Sequence, residues 1–387
     1  MKKIISSVLM GCLILGQSLP AYAVATPKVI PVVKLVTVKL PSPGETMAKA
    51  MDLLLINLQK KTSFSGSVIL AQNGNVLLSK GYGMANEEYQ IPNSPTTVFR
   101  LASLSKQLTA ASVLKLVEMG SLKLSDPVSQ YVPDFPRGNE ITIQMLLNHT
   151  SGLRDQITQT GKTEEELTRV GHTPEELVSL IKKETLVTQP GVTYFYSNHG
   201  YILLGYCIEK ASGMGYESFL KQAILEPLGI KEIQYDDSDA IVKNRAEGYK
   251  VVNGQKKKAD WIDMSNPYAA GALIGTTESY LKWQQSYNSP KILSKESWTQ
   301  FFGTQVKTNR TALFDERYAL GVMTTMLPLN TGKMAQVIYH TGGVNGFRNF
   351  QIHIDQLNLD FILLSNNEST DLEPLLSKVL LYMMALI

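Results

Sequence analysis

Between residues 45 and 60 the side chains of Met47, Met51, Leu54, Leu55 and Leu58 recur every three or four positions, which predicts a helix with one apolar face. The period then shortens. Residues 67–72 and 76–80 read as strands on either side of Asn73-Gly74, a dipeptide that tolerates the positive φ angles of a tight hairpin turn. A third strand-like run ends at His340 and is followed by two more, residues 347–354 and 359–364. Residues 372–387 read as a closing helix. With Lys378 in its middle, that 16-residue stretch is too short for the ~20 apolar residues a bilayer span needs. Strands therefore belong to the two chain ends, while residues from about 100 to 282 are mostly helical or loop. This pattern predicts an α+β fold: an antiparallel sheet formed by both chain ends and flanked by N- and C-terminal helices, with an inserted, mostly helical lobe. The sheet lobe should take residues 45–99 and 283–387, and the helical lobe residues 100–282.

One helix stands apart. Leu104, Leu108, Ala111, Val113, Leu114 and Val117 spread apolar groups around most of its circumference, so it should lie buried between the lobes, with Gly120 ending it. At its start stand Ser103 and Lys106, three residues apart and hence on one face. A serine hydroxyl is a poor nucleophile without a base, and a lysine desolvated at a buried helix start loses its proton more easily. The unpaired N–H groups there also favour a developing oxyanion. Alone, however, Ser-x-x-Lys arises often by chance and equally fits an exposed helix start capped by Ser103.

Two later segments change that balance. Tyr194-Phe195-Tyr196-Ser197-Asn198 contains a Tyr-x-Asn, and His340-Thr341-Gly342-Gly343 a basic residue followed by Thr-Gly. In this order the three motifs resemble those of the serine β-lactamase and penicillin-binding protein superfamily, specifically the class C β-lactamase and DD-peptidase-like branch. Flanking words carry the likeness over most of the chain from residue 45: Leu146-Leu147-Asn148-His149-Thr150-Ser151-Gly152-Leu153, Gly200-Tyr201-Ile202-Leu203-Leu204-Gly205, Ala270-Gly271-Ala272-Leu273-Ile274-Gly275 and Gly343-Val344-Asn345-Gly346-Phe347.

The resemblance implies a β-lactamase/transpeptidase-like fold and an acyl-serine mechanism. Ser103 would be the nucleophile, with Lys106 and Tyr196 sharing the base role; which of them takes the proton stays open. Asn198 would bond either Lys106 or the substrate amide. His340, Thr341 and Gly342 would contact substrate, and the backbone N–H groups of Ser103 and Gly343 would form the oxyanion hole. His340 departs from the lysine usual in class C β-lactamases. A neutral imidazole holds a carboxylate weakly and in a pH-dependent way, and Arg348 stands near enough in sequence to substitute, although a lone arginine also fits a solvated surface. The expectation is thus a serine hydrolase acting on an ester, amide or D-alanyl peptide bond, with peptidoglycan fragments as the first substrate class. A class C β-lactamase and a non-catalytic penicillin-recognising protein are the alternatives.

Address and composition narrow this further. Lys2 and Lys3, an apolar run over residues 4–19 and Pro20-Ala21-Tyr22-Ala23 read as a secretory signal cut after Ala23, for a secreted or periplasmic protein. A lipoprotein box at Leu9-Met10-Gly11-Cys12 would have a very short apolar stretch ahead of it. Residues 24–44, with four prolines, read as a linker, and residues 45–387 as the hydrolase domain. Net charge is only +3, two of it from the leader lysines, so nothing favours nucleic acid as a partner. Cys207, in an apolar run, reads as a buried structural thiol. No motif has metal-ligand spacing, so no metal or other cofactor is expected; His149 and His199 read as loop or supporting residues. Oligomeric state is not legible. Thr163 with Glu166, and Thr173 with Glu176, open two helices in a segment, 154–190, expected to cover the cleft.

Overall fold

The computed structural model describes residues 47–380 apart from residues 63, 156–160, 309–314, 330 and 372–374. The leader and linker expected at residues 1–44 lie outside the described residues. The first periodic stretch forms helix α1 (Met47–Lys61), with Met51 and Leu55 fully buried and Met47, Leu54 and Leu58 packed beside them. Strands β1 (Gly66–Gln72) and β2 (Asn75–Tyr82) follow as a hairpin. Gln72 faces Asn75 across a two-residue turn whose residues Asn73 and Gly74 have φ of 50° and 78°. Both angles lie in the left-handed region, the turn geometry that matches strand twist.

Six C-terminal strands complete the sheet: β3 (Val306–Lys307), β4 (Arg317–Tyr318), β5 (Met323–Pro328), β6 (Met334–Val344), β7 (Phe347–Ile354) and β8 (Leu359–Ser365). Their order is β3-β4-β5-β6-β7-β8-β1-β2, antiparallel throughout, so β1 sits between β2 and β8 with Gly66 opposite Ser365. The strand period sorts residues to two faces. Val68 and Leu70 share one core with Met51, Phe350, Phe361, Leu363 and Val379, beneath α1 and the helical residues 375–380. Ile69, Ala71, Ile362 and Leu364 share the other with the inserted lobe. Each such side chain contributes roughly 1.5–3 kcal/mol by leaving water, and Cys207, buried in the second core, is a free thiol.

The inserted lobe is built round α2 (Ser105–Glu118), buried along nearly its whole length. It ends as expected at Gly120. The N–H groups of Gly120 and Ser121 reach back to Val117 and Leu116 at 3.0 Å each, while Gly120 takes φ 73°. Helix α3 (Asn198–Ser212) packs on α2, and α4 (Thr277–Gln284) lies on the inner face of β1 and β8.

Two expectations need correction. The inserted lobe also carries strands: Phe99–Arg100, Leu273–Gly275 and Gln234–Tyr235 form a small sheet, and Tyr249–Val252 pairs with Gln255–Lys258. Strands of two to four residues are too short to display a period. Secondly, both capping boxes form, at Thr163 and Thr173, but helix Pro174–Ile181 buries Leu177, Val178 and Ile181 in the core, packed on α3, rather than over the cleft.

Candidate active site

The strand Phe99–Arg100 delivers the chain to a single 3₁₀ turn, Ala102–Leu104, from which α2 continues. Two constraints hold this turn. The side-chain amide of Asn349 on β7 donates to the carbonyls of Arg100 and Leu101 at 2.8 and 3.2 Å, and Tyr280 Oη donates to Leu104 O at 3.1 Å. Ala102 takes φ 51°, a left-handed conformation costly for an alanine, directly before Ser103. Residues three apart on successive helical turns share a face, so Lys106, in the first turn of α2, returns beneath Ser103.

Lys106 has no solvent exposure. Its Nζ lies 3.1 Å from Ser103 Oγ, 2.6 Å from Asn198 Oδ1 and 2.8 Å from the carbonyl oxygen of Ala270. Burial brings its pKa down to about 7, and the negative charge of Asp155 opposes any further fall. On the other side of the serine, Tyr196 Oη donates to Ser103 Oγ at 2.9 Å. The nucleophile oxygen thus lies between an amine and a phenol.

Tyr196 and Asn198 are set by the start of α3. Ser197 is extended and caps the helix, its Oγ accepting from Gly200 N at 3.3 Å, so Tyr196 precedes the helix and Asn198 is its first residue. The Ser197 N–H donates to Nδ1 of buried His149 at 3.1 Å. His149 is packed among tyrosines, with ring centroids 4.3 Å from Tyr196, 4.5 Å from Tyr318 and 5.2 Å from Tyr201. Burial, with Lys106 and His340 adding to it, holds His149 well below the ordinary imidazole range, so it is a neutral supporting group.

The third motif arrives on β6. Strand β5 pairs with β6 only as far as Met323 opposite Tyr339, so from His340 to Val344 that edge of β6 is open. Beside it lies a cleft of about 190 Å³, lined by Ser103, Tyr194, Tyr196, Met323, His340, Thr341 and Gly343. It is smaller than the ~300–1,000 Å³ of drug-sized sites.

His340 is 1% exposed. Its Nε2 meets Tyr318 Oη at 3.0 Å and its Nδ1 meets the Thr341 carbonyl at 2.5 Å, so both ring nitrogens are engaged within the protein. Gly342 does not line the cleft. A Cβ there would stand 2.7 Å from Leu101 O and 3.3 Å from Ser103 N, so the missing side chain lets β6 pack on the nucleophile turn rather than admitting substrate. Arg348, opposite Gly343 across the β6–β7 pair, is exposed, with Nε donating to Glu368 O at 3.1 Å. Its guanidinium crosses the bare Cα of Gly343, since a Cβ there would fall 1.8 Å from Nη1.

The structure therefore brings Ser103, Lys106, Tyr196 and Asn198 together, places His340, Thr341 and Gly343 on the cleft wall, and directs Asn198 to Lys106. Asp155, Tyr318 and the Ala270 carbonyl were not anticipated. Asp155 accepts from the backbone N–H of Asn198 and, at 3.0 Å, from its Nδ2; a single aspartate after Gly152-Leu153-Arg154 carries no periodicity or motif to mark it. Among the described residues no cluster of three His, Cys, Asp or Glu could hold a metal, and no helix is long and apolar enough to cross a membrane.

The chain is similar to known proteins over most of its length. Penicillin-binding protein 4* of Bacillus subtilis is 28% identical over 334 residues, covering 83% of this chain and 72% of that protein. Protein flp of Staphylococcus aureus is 27% identical over 326 residues, 81% of this chain but only 61% of its own length, so the curated relatives extend beyond the matched region. The octameric penicillin-binding protein homologue from Pyrococcus abyssi superimposes with a TM-score of 0.70 at 27% identity, covering 82% of this chain and 72% of that one. D-amino acid amidase from Ochrobactrum anthropi SV3, at 21% identity, shares the fold with a TM-score of 0.74 over 87% of this chain and 99% of its own. The Beta-lactamase family model matches residues 51–379, and with a serine, its lysine and its tyrosine in bonding contact the chain belongs to that family of serine hydrolases.

Proposed function

We propose that the protein is a secreted or periplasmic hydrolase that cleaves an ester, amide or D-alanyl peptide bond through an acyl-Ser103 intermediate, with peptidoglycan fragments as the natural substrate class. The observation that carries this reading is the position of Ser103 Oγ, 3.1 Å from Lys106 Nζ and 2.9 Å from Tyr196 Oη. With a pKa of about 7, Lys106 is substantially neutral at physiological pH and acts as the base. Ser103 Oγ attacks the carbonyl carbon while its proton passes to Lys106 Nζ. The resulting oxyanion is held by the N–H groups of Ser103 and Gly343. As the bond to the leaving group breaks, Tyr196 or the lysine ammonium supplies its proton, and water then repeats the sequence to free the acid.

The state of His340 favours a peptidase or esterase over a β-lactamase. Both ring nitrogens are engaged within the protein, so the position that is lysine in class C enzymes presents no ammonium. The similarity to penicillin-binding protein 4* points the same way. Arg348, lying across Gly343, would meet a carboxylate on the part of the substrate that follows the β6 edge.

Mass spectrometry of the mature protein after exposure to penicillin tests the reading. A penicilloyl adduct that persists, and is absent from Ser103→Ala, is expected. Turnover of many equivalents per second would make the protein a β-lactamase, and no adduct with penicillin or a fluorophosphonate would make it a binding protein.

A further inference from the structure

We propose that Asp155 is a positioning residue for acyl transfer: its carboxylate fixes the Asn198 amide with the oxygen turned to Lys106, and so aims the lysine lone pair at Ser103. The proposal rests on Lys106 acting as the base. An asparagine amide offers two donors at one end and an acceptor at the other. Here Nδ2 and the backbone N–H of Asn198 both point to Asp155, one to each carboxylate oxygen, which leaves Oδ1 as the end facing Nζ at 2.6 Å. The flipped amide would set donor against donor at Lys106 and acceptor against carboxylate at Asp155.

The orientation matters because of how a neutral amine is built. Nζ then has two hydrogens and one lone pair. The oxygens of Asn198 and Ala270 accept the two hydrogens, at 2.6 and 2.8 Å, and the lone pair is left for the hydroxyl proton of Ser103, 3.1 Å away. Without the Asn198 acceptor, the lysine could turn a hydrogen toward the serine and cease to be a base for it.

Asp155 also acts through charge. Among the described residues, the other titratable groups around Lys106 are Tyr196 and Tyr201, whose ring centroids lie 5.0 and 5.4 Å from Nζ, and the neutral His149, with His340 beyond Tyr196. Asp155 is the anion in this set, and it favours the protonated lysine. Removing its charge should move the lysine's titration to lower pH while loosening its aim.

The test is the pH dependence of Ser103 labelling by a fluorophosphonate, which requires no knowledge of the natural substrate. In Asp155→Asn the acid limb should move down by about one pH unit, and the plateau rate should fall about tenfold. Asp155→Glu keeps the charge, so its limb should stay in place. In an Asn198→Ala background, Asp155→Asn should no longer lower the plateau, because the amide it positions is gone. An unmoved limb in Asp155→Asn, or an equal plateau loss with and without Asn198, overturns the proposal. Should Asp155→Asn fail to fold, Asp155→Glu in the two backgrounds supplies the same comparison of plateaus, and a glutamate loss that persists without Asn198 counts against it. If wild-type protein is not labelled at all, it is the acyl-serine reading that fails.

Discussion

Tyr318 Oη and His340 Nε2 stand 3.0 Å apart inside the protein, joined by a hydrogen bond. The phenol on β4 thus holds in place the imidazole that stands at the family's basic position on the cleft wall. Tyr318→Phe removes this hydrogen bond without changing the ring packing. The ring-proton NMR signals of His340 should then move from their wild-type positions, as the imidazole is no longer held. Unchanged signals in the two proteins would show that the phenol does not hold the histidine.

Lys106 must be neutral to accept the serine proton, and its pKa lies at about 7. The rate of Ser103 acylation by penicillin should rise with pH through about 7 and drop about tenfold for each unit below it. Lys106→Arg, always charged, should abolish the reaction at every pH. A rate independent of pH between 5 and 8 would show that Lys106 is not the base.

At Gly342 the clash for a Cβ is with backbone, Leu101 O at 2.7 Å, and backbone cannot swing aside as a side chain can. Gly342→Ala should displace the turn that carries Ser103 and lower the acylation rate by about 10²-fold, the cost of losing one oxyanion donor. At Gly343 the obstruction is the end of the Arg348 side chain, which can move. Gly343→Ala should therefore acylate measurably faster than Gly342→Ala, a ranking that stopped-flow rates can reverse.

Arg348→Ala should raise KM for substrates carrying a free carboxylate by about two- to fivefold, the range an exposed charge pair supports, and leave kcat alone. Methyl esters of the same substrates should show no difference between the proteins. Equal effects on acid and ester would mean that Arg348 acts by packing.

Away from the cleft, His353 donates from Nδ1 to the buried carboxylate of Asp360 at 2.8 Å, with Asp355 on its other side. Burial alone would depress its pKa, but the two carboxylates more than offset this and raise it to about 9. A pKa raised on folding stabilises the protein fully below the unfolded value near ~6.5 and loses that contribution as pH rises through 9. His353→Gln should cost about 3 kcal/mol at pH 6, where it strands the aspartate, and much less at pH 10. Urea denaturation at the two pH values measures the difference; equal losses would show that the histidine is not charged in the native state.

The legible parts of this protein were those that repeat or announce themselves. Met51 and Leu55 lie on a helical period, Asn73-Gly74 specifies its turn, and the words around Ser103, Tyr196 and His340 are ordered motifs. The strands Phe99–Arg100 and Gln234–Tyr235 are two residues long and have no pattern of their own; their pairing with Leu273–Gly275 is decided by the tertiary fold. Asp155 meets Asn198 from 43 positions away, a proximity that neither local spacing nor composition encodes. Gly342, expected to contact substrate, faces the Leu101 carbonyl instead, since a sequence does not say which side of a strand faces a substrate.

The place of β1 between β2 and β8 has a consequence for how the polypeptide matures. Ser365 Oγ donates to the carbonyl of Ser65, 300 positions earlier, so an N-terminal hairpin must wait for nearly the whole chain before its inner edge is covered. Until then β1 offers unpaired amides and an apolar surface to any other nascent copy. Chains truncated before residue 359 should therefore accumulate as aggregates rather than as a smaller working enzyme.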